Sequence, residues 1–361
     1  MLLRSYLARE IRTPFVALLT LFVVVFASYS TARFLTDAVN GLLPSDVIAS
    51  LVALKTLIAL EVLLPIALYL AVVAALSRLY GESEMAAMFA GGASPHMTLR
   101  AVFNVSLVLA VLVGCLSLYV RPWAYRASYD IRAEAESRLD LKNLEGGIFY
   151  ESASGNRVIF IDQPLHDNAG SIGSDKVFVQ FQRNSETTRI IYADKAYPQS
   201  NADGSQSVLF RDGQTYDLNR DGSGGQIMKF REMLLHLKPP VIATSEYRRK
   251  ATPSAELAKS AASTDIAELQ WRLSTPLSTM LLGLLGSPLS RHSPRQGGKH
   301  GRMVAAILVY AAYYLLNVSA KNWVEHGTVA TMPGIWWVPG LLAALLLFLL
   351  LPPGFWRRLR Q

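Results

Sequence analysis

Charge is scarce in this sequence. Only 17% of its residues are charged and 51% are hydrophobic, where soluble domains carry about a quarter charged. A chain of 361 residues so composed has more apolar surface than one soluble core can hide, which excludes a soluble globular protein. Cysteine is nearly absent. Cys115 is alone and sits in an apolar segment, so an intrachain disulfide is excluded and the thiol reads as inert packing. Catalytic motifs are missing as well. There is no H-E-x-x-H, no G-x-S-x-G and no cysteine pair. Gly297-Gly298-Lys299-His300 fails as a phosphate loop, because Ser293 stands where the first glycine belongs and His300 replaces Ser or Thr; it reads as a basic loop. No catalytic residue, metal ligand, cofactor or nucleic-acid partner is expected, and the chain is not an enzyme on this reading.

What is present is a set of apolar runs near the roughly 20 residues that cross a bilayer. Six spans are expected at Thr13–Thr36, Val47–Leu76, Leu99–Val120, Leu269–Leu289, Met303–Val324 and Ile335–Leu351. Gly41 and Pro44 break the chain after the first; Gly91, Gly92 and Pro95 break it after the second. Arg4, Arg9 and Arg12 precede the Phe15–Phe26 run without an A-x-A site close behind, so the first span is retained rather than cleaved. Lys and Arg gather before span 1, between spans 4 and 5 (Arg291, Arg295, Lys299, Arg302), and after span 6 (Arg357, Arg358, Arg360). Those clusters must share the cytoplasmic side. Both termini are then cytoplasmic, and the long insert after span 3 is outside, periplasmic in a bacterium. Trp123, Trp271, Trp336, Trp337 and Trp356 lie near span ends, as in an aromatic belt.

The chain therefore divides into residues 1–120 with spans 1–3, an insert at 121–264, and residues 265–361 with spans 4–6. The insert opens with a helical stretch to Asn143. Seven short strands come next: Gly147–Tyr150, Arg157–Ile161, Lys176–Arg183, Thr187–Ala193, Ser207–Phe210, Thr215–Leu218 and Gln226–Phe230. Arg211-Asp212-Gly213 reads as a hairpin turn, and Lys238-Pro239-Pro240 ends the sheet. Short strands with Gly, Asn and Asp turns imply a sandwich, jelly roll or open barrel.

Two features point to function. The loop Leu79 to Pro95 contains a short helix between Gly81 and Gly91-Gly92, with Met85, Met88 and Phe89 on one stripe and Glu82 and Glu84 at its start. Interfacial helices are usually basic. An acidic one with soft methionine contacts suits docking to a basic groove on another protein. The second feature is charge at membrane depth: Arg33, Lys55, Glu61, Arg272 and Lys321. Taken singly, Arg33 and Arg272 read as side chains snorkelling to the headgroups. Glu61 is deeper and must face an interior or a cavity. Lys321 continues a stripe through Tyr310, Tyr314 and Asn317 on one face of span 5. Such a face reads as one on a cavity rather than on lipid.

The loop LYGESEMAAMFAGGAS (79–94) resembles the cytoplasmic coupling segment of lipopolysaccharide-export permeases of the LptF/LptG type. Arg4-Ser5-Tyr6-Leu7-Ala8-Arg9-Glu10 resembles the family's N-terminal stretch, and Glu268-Leu269-Gln270-Trp271-Arg272 its start of span 4. Pro288-Leu289-Ser290 with the nearby Ser293-Pro294-Arg295-Gln296-Gly297 resembles the loop after it. The short tail and the opening lean toward the LptF branch. The Gly91-Gly92 pair departs from the pattern and softens the helix end.

The resemblance implies a membrane α-helical fold, six transmembrane helices as 3 + 3, with an inserted periplasmic β-jellyroll-like domain, in the bacterial inner membrane. It implies a heterodimer with an LptG-like sister permease, a dimeric LptB-like ATPase beneath, and an LptC-like jellyroll partner. Lipopolysaccharide would be drawn from the outer leaflet of the inner membrane and passed to a periplasmic bridge. Coupling residues would be Glu82, Glu84, Met85, Met88 and Phe89; lipid contacts would be Arg33, Lys55, Arg272, Asn317 and Lys321. The rival reading is a membrane-anchored periplasmic sensor or adhesion protein, which would need neither an acidic docking helix nor charges at membrane depth.

Overall fold

The computed structural model describes residues 2–39, 43–137, 147–151, 157–166, 172–184, 187–200, 206–219, 225–237, 249–291 and 299–351. The 293–297 motif, Gly41, Lys238-Pro239-Pro240, Trp356 and the terminal arginines lie outside them. The helices are α1 (Leu2–Val39), α2 (Ile48–Gly81), α3 (Glu84–Ala90), α4 (Pro95–Cys115), α5 (Arg121–Ser137), α6 (Ser254–Leu257), α7 (Ser263–Leu289), α8 (Lys299–Glu325) and α9 (Trp337–Leu350). Each expected span falls on a helix, the last on the short α9, and α4 runs through a π-helical segment, Leu116–Val120, into α5.

Among the described residues, four helical stretches are long and apolar enough to cross a membrane: Leu3–Val39, Ser45–Gly81, Pro95–Glu134 and Gly301–Glu325. The α9 helix is apolar but shorter. The α7 helix carries Glu268, Gln270, Arg272, Ser274, Thr275 and Ser278, and all of them are buried. Its polarity is hidden by neighbouring helices, which is how a polar helix is accommodated at membrane depth. Gly283 and Gly286 let α7 pack closely: a Cβ on Gly286 would come within 2.8 Å of Val72, and one on Gly283 would strike Ser106.

The chain forms two compact units: residues 1–28, 54–126 and 245–361, and residues 29–53 with 127–244. The first holds the large apolar core, with Leu68, Tyr69, Leu76, Leu79, Leu282 and Leu285 fully or almost fully buried. In the second, Phe34, Leu43 and Leu51 form a small core with Ile131 against it.

The second unit also carries the sheet, whose strands β1 to β6 are Ile148–Glu151, Arg157–His166, Ile172–Asn184, Thr187–Ser200, Gln206–Asn219 and Gly225–Leu237. It is one antiparallel sheet with every strand beside its sequence neighbour. The expected strands at 207–210 and 215–218 are a single strand, β5, and Arg211-Asp212-Gly213 is not a hairpin turn but the middle of it. The reason is visible in the register. Asp162, Lys176, Asp194, Asp212 and Arg231 lie opposite one another in a row across five strands. Lys176 and Asp212 have φ of 44° and 51° there. Each strand spends a residue in the row, so the inward parity changes: β4 buries Ile191 and Ala193 before it and Ala196 after it; β5 buries Val208 and Phe210 before and Thr215 after. A broken alternation at Asp-Gly imitates a turn in sequence. The buried face, Val177, Val179, Ile191 and Phe210, is bordered by half-buried Ile159, Phe181, Phe230, Met233 and Leu235. Arg189 and Asp217, directly paired across β4 and β5, meet through two hydrogen bonds of 2.5 Å. The Asp217 carboxylate raises the Arg189 guanidinium above its ordinary value.

Candidate functional site

An ion network occupies the end of the helical unit where α4 passes into α5. Glu61, in the first half of α2, accepts from Ser117 Oγ at 2.6 Å and from Arg121 Nη1 at 3.2 Å. Ser117 lies in the π-helical segment and Arg121 directly succeeds it. A π segment carries an extra residue per turn and rotates the helix beyond it, and here it brings both side chains to one carboxylate. Arg121 Nη2 reaches Glu268 Oε1 at 3.1 Å. Glu268 also accepts from Arg272 Nε at 3.1 Å and from Lys321 Nζ at 2.6 Å. One carboxylate thus serves three cations from α5, α7 and α8. Lys321 further pairs with Glu325 at 3.7 Å and lies over the Trp271 ring at 5.2 Å. Removing these ions from water is costly unless each is paired and hydrogen-bonded, and Glu61, Glu268, Arg121 and Arg272 are all nearly or fully buried.

Arg272 does not snorkel. It is the largest fully buried side chain, at 0% exposure. Its Nη1 donates to the Thr252 carbonyl and Ser254 Oγ, and its Nη2 to the Arg249 and Lys250 carbonyls, at 2.9–3.2 Å. With the bond to Glu268, its five N–H donors have five acceptors. Ser254 Oγ in turn donates to the Leu118 carbonyl of the π segment at 2.8 Å. The segment 249–254 is thereby fixed to α7 and to the π segment. Gln270 fixes a second segment: its Nε2 donates to the Thr331 carbonyl at 2.8 Å, and its Oε1 accepts from Ile335 N–H at 3.0 Å.

Among the other expected lipid contacts, Lys55 lies over the Tyr125 ring at 5.2 Å. Asn317 is buried, its Nδ2 donating to Tyr313 Oη at 3.4 Å. Tyr310, on the same expected stripe, donates from Oη to the Val62 carbonyl at 3.2 Å. Arg33 is exposed and belongs to the other compact unit. Arg121 and Glu268 are network members that composition and spacing did not single out for a role. A signal existed for Glu268, which stands four residues before Arg272 on one helix face.

At the opposite end of α2, the α3 helix is held by its own chain. Ser83, at φ 61°, makes the abrupt turn out of α2. Beyond it, Gly92 N–H bonds the Phe89 carbonyl and Ala93 N–H the Met88 carbonyl, closing the helix with Gly92 at φ 89°. Met85 is buried at 1% exposure, and Met88 and Phe89 pack on the same core. Of the stripe expected to offer soft contacts to another protein, Met85 is therefore internal, while Met88 and Phe89 are half-buried. The exposed face is Ala86, Ala87 and Ala90, with Glu82 just ahead of it. Glu84 Oε2 accepts from Tyr6 Oη at 2.7 Å. Arg78 pairs with Glu10 and lies 4.0 Å from Glu82.

Apolar helices long enough to cross a bilayer, a polar helix buried among them and one inserted antiparallel sheet define a multi-pass membrane protein with an extramembrane domain. The family model for the lipopolysaccharide export system permease LptF/LptG matches residues 5–352. The chain is 26% identical over 351 residues to lipopolysaccharide export system permease protein LptF of Escherichia coli K12, covering 95% of this chain and 92% of that one. The same identity and coverage hold for LptF of Escherichia coli O157:H7 and of Shigella flexneri. The chain belongs to the LptF/LptG family, and so is a permease of lipopolysaccharide export. The sensor or adhesion alternative gains no support.

Proposed function

We propose that this permease draws lipopolysaccharide from the outer leaflet of the bacterial inner membrane and hands it to a periplasmic β-structured bridge through its own sheet. The observation that carries this reading is the sheet itself. It is a single antiparallel sheet with one apolar face, bordered by the half-buried Ile159, Phe181, Phe230, Met233 and Leu235. Acyl chains need such a face to leave the bilayer without meeting water, at about 0.8 kcal/mol per CH₂. Both termini and α3 are cytoplasmic in this reading, and the sheet is periplasmic. ATP is hydrolysed by a separate dimeric ATPase beneath α3, a sister permease completes the membrane unit, and a jellyroll protein extends the sheet. Glu84, Glu82 and the exposed alanines of α3 face the ATPase side. Lys55 and Lys321 belong to the polar part of the helical unit proposed to lie near the outer headgroups; Lys321, at the rim of the ion network, is the one best placed to reach a phosphate.

A photo-crosslinking residue at Phe181 should capture lipopolysaccharide in membranes that are transporting it. Transport that proceeds with no crosslink at Phe181, Phe230, Ile159, Met233 or Leu235 would remove the sheet from the route.

A further inference from the structure

The contact between Tyr6 and Glu84 links two segments 78 residues apart. Glu84 opens α3, the helix that the proposed function places against the ATPase. Tyr6 lies in the first turns of α1. Beside it, Leu7 and Ile11 are buried at 2% and 0% exposure, so the base of α1 is seated in the helical core. Above the base, Val16, Leu21, Val24 and Val25 are between 53% and 59% exposed. Within the helical unit, α1 is fully buried only at its lower end, while Phe15, Leu18 and Phe22 above it are half-buried against the core. Two polar ties act there: the Tyr6 phenol on Glu84, and Glu10 on Arg78, which also neighbours Glu82. A helix gripped at one end acts as a lever, and its grip is on the α3 segment.

We propose that Tyr6 is a positioning residue for transport: it transmits displacement of α3 to α1 through Glu84. This rests on the reading of α3 as the segment that meets the ATPase. The α3 helix is itself suited to transmit. Ser83 in the left-handed region, the closed C-terminal end at Gly92 and the buried Met85 make it a short rigid block rather than a loop. Glu84 therefore has two faces of use. One carboxylate oxygen is taken by Tyr6 within the chain, and among the described residues the other is left for a cation of the partner. Tyr6→Phe removes the oxygen and keeps the ring that packs on the core, so it separates transmission from packing.

The test uses the assembled complex in proteoliposomes containing lipopolysaccharide. ATPase co-purification, ATP hydrolysis and lipid released per ATP are measured together. For Tyr6→Phe we expect normal association and hydrolysis, with lipid released per ATP reduced several-fold. In a Glu84→Ala background, adding Tyr6→Phe should lower that ratio no further, because residues acting through one contact are not additive. An unchanged ratio in Tyr6→Phe overturns the proposal. So does loss of ATPase association in step with transport, which would make Tyr6 only a support for presenting Glu84. So does a full additional effect of Tyr6→Phe on top of Glu84→Ala. A Glu84→Lys complex that associates and transports normally would fail the α3 reading itself, whereas a defective Glu84→Lys beside a normal Tyr6→Phe fails only this inference.

Discussion

Glu268 ties together three cations of the helical unit. It is 2% exposed and meets Arg121, Arg272 and Lys321. Glu268→Gln leaves these cations with less compensation, and breaking a buried ion contact costs about 3–5 kcal/mol. The expected outcome is a markedly lower melting temperature of the detergent-purified chain, with Glu325→Gln far milder because Glu325 is at the rim, 22% exposed. The network also changes how Lys321 must be tested as a lipid contact. Lys321→Glu would set a third carboxylate against Glu268 and Glu325, confusing repulsion with lost lipid. Lys321→Met should lower lipopolysaccharide co-purified per complex, while Glu325→Gln, which releases Lys321 from one competitor, should hold or raise it. A Lys321→Met complex with undiminished lipid would reduce Lys321 to a counter-ion. The need for an interior at Glu61 was legible in sequence, because a deep carboxylate cannot face lipid. Its partners were not, since Ser117 and Arg121 arrive through a π segment whose sequence, Leu116 to Val120, looks like ordinary apolar helix.

The helices were legible because bilayer thickness sets a minimum apolar length. The strands were legible only between interruptions. Gly213 shows why. A Cβ there would strike the Tyr192 carbonyl oxygen and come within 2.6 Å of Phe230 and 3.0 Å of Ala193 Cα. The Asp-Gly pair thus looks like a turn for a turn's reason, a backbone that needs glycine, but serves close approach of β4 and β6 inside one strand. Gly213→Val should destabilise the sheet by about 1–3 kcal/mol, the usual cost of overpacking. Asp212→Gly should be neutral or slightly stabilising, since Asp212 already sits at φ 51°. Limited proteolysis of the full chain in detergent reads both: earlier cleavage within 172–237 for Gly213→Val, and none for Asp212→Gly. The opposite order would mean that the segment is a free turn after all. The Met85, Met88 and Phe89 stripe illustrates a different limit. Spacing correctly groups the three on one face, but periodicity alone cannot say whether that face meets a partner or the chain's own core.

The proposed orientation of the chain rests on charge placement, and it is the premise on which the lipid and ATPase sides are assigned. Lys and Arg cluster at the start of α1, around 291–302 and after α9, and basic clusters are retained on the cytoplasmic side. The proposed function puts α3 on that side and the sheet on the periplasmic one. Cys115 is the sole cysteine, so a Cys115→Ser chain is a clean background for single-cysteine reporters. Asp194 is exposed on the sheet and Ala90 is exposed on α3; neither is in a core, so Asp194→Cys and Ala90→Cys should assemble normally. In intact cells, a maleimide that cannot cross the inner membrane should label Asp194→Cys. It should label Ala90→Cys only after the inner membrane is permeabilised. Equal labelling of both in intact cells would show a leaky preparation and is checked with a cytoplasmic cysteine protein. The reversed pattern would invert the proposed orientation. It would place α3 where no ATP is available, and the assignment of Glu84 to the ATPase would fall with it.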